Sequence, residues 1–123
     1  MKIIFKAESF SFIVALNKSN TAKEILEKLP FESNISIWGE EIYFNINFKA
    51  SAEEASMEVG IGDVVYWPQG KCLCVFFGPT PASTTQMPVP ASPVVIIGKT
   101  QAKKEGLKSI QLGEKISVEL YKE

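Results

Sequence analysis

The chain contains no histidine and no arginine. Its cationic side chains are 13 lysines, and a single aspartate, Asp63, accompanies 13 glutamates. Each absence excludes chemistry. Without imidazole, Ser-His-Asp and Cys-His nucleophilic machinery and histidine-ligated metal sites are impossible. Without guanidinium there is no bidentate clamp for a carboxylate, a phosphate or a guanine. The formal net charge of -1 leaves no electrostatic footprint for nucleic acid or for an anionic membrane surface. Long apolar runs are missing too: none approaches the ~18 residues a spanning helix needs. The N-terminus, Met-Lys-Ile-Ile-Phe-Lys-Ala-Glu, lacks the apolar core of a secretory signal. Cysteine is scarce. Cys72 and Cys74 share one apolar run, where an extended backbone points both thiols the same way. That arrangement is wrong for an ordinary disulfide and too small for a structural zinc site. The reading is two reduced, buried thiols in a cytoplasmic protein without metal or cofactor.

What is present is ordinary globular material, 46% hydrophobic and 22% charged over 123 residues. That is enough for one domain, 1–123, with a closed core. The dominant period is two. Phe10, Phe12, Val14 and Leu16 alternate, as do Ile42, Phe44, Ile46 and Phe48, then Leu73, Val75 and Phe77, then Ile116, Val118 and Leu120. Each set reads as a strand with one buried face. Shorter strands are expected at Lys2 to Lys6, Asn34 to Trp38, Val64 to Trp67 and Val94 to Gly98, about eight in all. Two segments adopt the helical period. Thr21 and Glu24 have capping-box spacing ahead of Ile25, Leu26 and Leu29, with Pro30 as the stop. A weaker pattern runs from about Ala102 to Ile110. Between two strong strands, Gly78 to Pro93 holds five of the seven prolines and reads as a long excursion from one domain. Eight evenly spaced strands and two helices suggest a closed barrel, which removes sheet edges.

Aromatic, turn and acidic residues coincide in three segments: Trp38-Gly39-Glu40-Glu41-Ile42-Tyr43-Phe44, Gly62-Asp63-Val64-Val65-Tyr66-Trp67-Pro68-Gln69-Gly70, and Phe76-Phe77-Gly78-Pro79-Thr80-Pro81. Trp38, Glu40, Tyr43, Phe44, Tyr66, Trp67 and Thr80 are therefore expected to converge on one cleft. Barrel-end packing competes for the aromatics, and simple exposure competes for the carboxylates. Glu40 and Glu41 face opposite sides of a strand, so they cannot act as a direct acid/base couple. Either one alone can face a pocket. Asp63, after Gly60-Ile61-Gly62, reads as a turn residue.

Those three segments, followed by Val94-Val95-Ile96-Ile97-Gly98-Lys99 and preceded by Leu29-Pro30-Phe31-Glu32-Ser33, together resemble a small prokaryotic cyclophilin-like family of unknown function. The resemblance spans nearly the whole chain. It implies a mainly β fold, a closed eight-stranded antiparallel cyclophilin-like barrel capped by two helices. True cyclophilins are peptidyl-prolyl isomerases whose arginine, in a Phe-His-Arg segment of the third strand, contacts the prolyl group. Around Ile37 to Ile42 this chain has Trp38, Gly39, Glu40 and Glu41 instead. No catalytic residue of that family carries over. Three functions follow as expectations: a module binding a peptide or small ligand without efficient catalysis, a weak or atypical prolyl isomerase, or a carboxylate-dependent enzyme on the same fold. The last would use Glu40 or Glu41 as a base with Tyr43 or Tyr66 as a hydrogen-bond donor.

Overall fold

The computed structural model describes residues 1–122, and among them it forms nine strands and two helices. In chain order these are β1 (Lys2–Ala7), β2 (Ser11–Leu16), α1 (Asn20–Glu27), β3 (Phe31–Asn34), β4 (Ser36–Ile37), β5 (Glu41–Asn45), β6 (Asp63–Trp67), β7 (Cys72–Phe76), β8 (Val95–Thr100), α2 (Lys104–Ser109) and β9 (Lys115–Leu120). All strand pairs are antiparallel, in the order β3-β9-β1-β2-β8-β6-β7-β5-β4. The period-two apolar residues point inward. Ile3 and Phe5 of β1, Phe12 and Val14 of β2, Ile42 and Phe44 of β5, Leu73 and Val75 of β7, and Ile116 and Val118 of β9 make one buried core. Phe5 packs edge-on against Phe44 across it, with ring centroids 5.5 Å apart.

The strand count exceeds the expected eight because Asn34 to Trp38 is not one strand. Phe31 to Asn34 pairs with β9, whereas Ser36 and Ile37 pair with β5. Ile35 stands between them. Its amide donates to Glu114 O at 2.8 Å, its carbonyl accepts from Gly113, and its side chain is buried. The two ends of the sheet are thus joined by a single residue, and the barrel is nearly closed.

Helix α1 begins two residues earlier than its capping-box spacing predicts. Ser19, not Thr21, is the N-cap, accepting the Ala22 amide at 3.1 Å. Thr21 and Glu24 instead hold the loop after β5: the Thr21 hydroxyl donates to Ser51 O, and the Glu24 carboxylate accepts the Ser51 amide at 3.0 Å and its hydroxyl. A cap side chain has to sit outside the first turn, and a half-buried partner on a neighbouring loop, Ser51, competes for Thr and Glu. Helix α2 lays Leu107 on the core, followed by Ile110 just past its end. No helix among the described residues is long and apolar enough to cross a membrane.

β7 differs from its neighbours because all five of its residues are buried. Leu73 and Val75 face the barrel interior, and Cys72, Cys74 and Phe76 face outward into a second apolar cluster with Val65 and Val94. The outer face is dry because the chain after β7 folds back across it. Val94 bridges Ser56 there through paired 2.9 Å hydrogen bonds.

Candidate functional site

On this outer face lies a cavity of about 200 Å³ lined by Trp38, Glu41, Tyr43, Trp67, Cys74, Phe76, Pro90, Ala91 and Val94. Strand alternation builds its floor. Glu41 and Tyr43 are two apart on β5, and their cross-strand partners on β7 are Phe76 and Cys74. The same face of β6 adds Trp67, whose ring meets Tyr43 edge to face at 6.4 Å and 89°. Trp38 is placed by the hairpin between β4 and β5, where its amide donates to Glu41 O at 2.9 Å. The proline-rich excursion supplies the last wall. It is held down by the Trp67 indole N–H, which donates to the Ser92 hydroxyl at 2.5 Å. A wider groove along Asn17 to Thr21 with Glu53 and Glu54 contains no aromatic ring.

Glu41 is the one ionisable carboxylate in this wall, and it is only 5% exposed. Burial pushes its pKa up to about 7, against a smaller opposing effect from a hydrogen bond with the Cys74 thiol. Both thiols are free, and burial together with the nearby Glu41 charge pushes them up as well. They are therefore poor nucleophiles.

The structure brings Trp38, Tyr43 and Trp67 together and sends the other four expected residues elsewhere. Phe44 and Tyr66 point into the barrel core, because each is one residue out of phase with the outer face. The Tyr66 hydroxyl accepts the Ala50 amide at 3.1 Å in the buried interior. Thr80 is a loop brace. Its hydroxyl donates to Val89 O, and its amide donates to Ser83 Oγ at 2.9 Å. Glu40 faces the opposite way from Glu41 and pairs with Lys104 at 2.8 Å and Lys108 at 3.5 Å. The hydrogen bond from Lys104 holds its carboxyl below the usual range. Glu41 was expected only as an alternative to Glu40, and Cys74, Phe76, Pro90, Ala91 and Val94 were not among the expected site residues. For the first three the signal was present: counting by twos from Tyr43 and from Cys72 selects one strand face. The loop residues have no such signal.

Fold and site together define a class: a small antiparallel barrel with an aromatic groove on the outside of its strands rather than in its interior. Residues 1–119 match the profile of the cyclophilin-like family, and the chain belongs to that family. Among solved structures, it is similar to the solution structure of the hypothetical protein AF2241 from Archaeoglobus fulgidus. The two share 37% identity with a TM-score of 0.85, covering 98% of this chain and 95% of that one. No curated protein matches the chain.

Proposed function

We propose that this cyclophilin-like barrel is a binding module that holds a peptide segment or small ligand in the outer groove without efficient prolyl isomerisation. One observation carries the reading: Trp38, Tyr43 and Trp67 converge on a small concave pocket over the buried Glu41. An apolar pocket with a single placed polar group is the usual form of a ligand site. Rotation about an X-Pro bond is accelerated by charge aimed at the twisted amide, and the chain has no arginine to supply it. Glu41 has the wrong sign when ionised. Two buried free thiols suit a reducing cytoplasm, and the near-zero net charge argues against nucleic acid as the partner.

A second reading, an enzyme that uses Glu41 as a proton carrier, is favoured by that group's pKa of about 7, where a general acid or base works best. It is the weaker of the two because the adjacent thiols are held protonated.

The test is an amide-correlation NMR titration of the protein with X-Pro peptides and a small-fragment set, with exchange rates measured on the same peptides beside a cyclophilin control. The expected result is ligand-induced shifts of the Trp38 and Trp67 indole resonances. X-Pro exchange should be at least ~100-fold slower than in the control. Exchange within about tenfold of the control, or a groove that no peptide or fragment perturbs, would overturn the proposal.

A further inference from the structure

We infer that the outer groove is a site for a methylated ammonium cation, seated against the Trp38, Tyr43 and Trp67 rings with the Glu41 carboxylate as its counter-ion. The inference rests on the ligand-binding reading above and names the ligand's chemistry.

Ring geometry is the first support. Tyr43 and Trp67 stand at 89° to each other with centroids 6.4 Å apart, so they form a corner, and Trp38 lines the same cavity. Aromatic faces are negative, and cages of this composition attract cations, more strongly when water is excluded. Charge is the second support. Glu41 is 5% exposed, and the groups acting on it are burial and the Cys74 thiol, with no lysine among them. Around it, β7 contributes Cys74 and Cys72, both neutral thiols, and β5 contributes Tyr43. β6 contributes Val65 and Trp67, while its Asp63 is paired with Lys99 at 3.7 Å. The loop contributes only Pro90, Ala91 and Val94. Glu40, next in sequence, is turned toward Lys104 and Lys108. A buried carboxylate facing no cation is costly to ionise, and a ligand cation supplies the missing partner.

Hydrogen-bonding capacity narrows the cation. A primary ammonium carries three donors that need acceptors. The walls offer Glu41, the Tyr43 hydroxyl and the weakly accepting Cys74 thiol, which is hydrogen-bonded to Glu41, but are otherwise aromatic or aliphatic, and the Trp67 N–H is already committed to Ser92. Each methyl removes one donor, so a quaternary nitrogen needs no acceptor and buries its methyl groups against those walls. The cavity of about 200 Å³ is below the roughly 300–1,000 Å³ of drug-sized sites, which suits a head group.

Choline and its uncharged isostere 3,3-dimethylbutan-1-ol are the probes, titrated into the intact chain by calorimetry from pH 5.5 to 8.5. Choline should bind at least about fivefold more tightly than the isostere at pH 8. Because the cation selects the ionised form, its affinity should rise with pH up to about 7 and then level off. Glu41→Gln should abolish the pH dependence and narrow the gap between the two probes to what the aromatic rings alone supply. Equal binding of both probes to the unaltered protein would overturn the cation while leaving the binding-module reading intact. Choline affinity that falls with pH would also overturn it, since the ionised Glu41 carboxylate would then not be the counter-ion of the bound cation. Failure of both probes overturns it too, and the peptide and fragment titration decides the broader reading independently.

Discussion

Glu40 and Glu41 show how one step along a strand separates two identical side chains. The first reaches outward to lysines of α2, and the second is enclosed by the outer groove. Their pKa values move in opposite directions for that reason. The consequence for stability has a definite sign. In the unfolded chain Glu41 titrates near its ordinary 4.5, and in the folded chain near 7. Between those values the folded state binds more protons, so stability falls as pH rises through the window and is flat above it. A shift of that size corresponds to up to about 3 kcal/mol. Carboxylates with lowered values, Glu40, Glu114 and Glu119, act below about pH 4.5 and leave this window undisturbed. Urea unfolding at pH 5, 6, 7 and 8 should show the decline in the natural chain and a nearly level profile in Glu41→Gln. Parallel profiles would mean that Glu41 is hydrated in the folded state. Glu41 could be found in the sequence by its phase with Tyr43, but its burial could not, because the loop residues that cover it, Pro90, Ala91 and Val94, lie 49 or more positions downstream.

At the scale of elements, β8 shows how tightly the strands are set. Val64 of β6 lies opposite Gly98 and Val65 opposite Ile96, so Ile97 is an extra residue in β8 at that point. Its carbonyl accepts the Asn17 amide at 2.8 Å, outside the β6 ladder. A Cβ on Gly98 would lie 2.4 Å from Ala15 O, a backbone atom of the neighbouring β2. Glycine at a bulge with close backbone approach is the expected solution. Replacing it with alanine reduces the freedom of the unfolded chain, worth ~0.4–1 kcal/mol in favour of the variant. Overpacking against fixed backbone costs ~1–3 kcal/mol and wins. Gly98→Ala should therefore lower the urea midpoint, and an unchanged or raised midpoint would show that β2 and β8 can part without loss. By contrast, Glu40→Gln removes only surface ion pairs and should cost under about 1 kcal/mol. It should also leave ligand binding in the outer groove unchanged, as its placement away from that groove requires.

Over the whole molecule, the sheet is continuous from β3 to β4, and those two edge strands are paired on one side only. Ile35 carries the chain directly from one edge to the other. Closure therefore depends on one buried side chain and two backbone hydrogen bonds rather than on a ladder. Native-state hydrogen exchange should reflect this. Amides of β1, β6 and β7, flanked on both sides, should exchange near the global unfolding limit, with Ser36 and Ile37 of β4 opening much more readily. Equal protection in β4 and β7 would show that the seam is as cooperative as the rest of the barrel.

The alternation of apolar residues was enough to place β2, β5, β7 and β9 and to orient their faces, because a strand's period is local to its backbone. The resemblance carried by the Trp38, Tyr66-Trp67 and Phe77-Gly78-Pro79 segments pointed to the same barrel. Absence of histidine and arginine, a property of composition alone, removed whole classes of chemistry. What tertiary structure decided was which of two faces became a pocket. An aromatic at a strand position serves core or groove according to a phase of one residue, which is why Phe44 and Tyr66 went inside and Tyr43 and Trp67 outside. The outer face of β7 would have been a solvated surface had the prolines between Gly78 and Pro93 not folded back over it. That return is held by Thr80, Ser92 and the Val94 bridge, contacts between residues distant in the chain, and no local period records them.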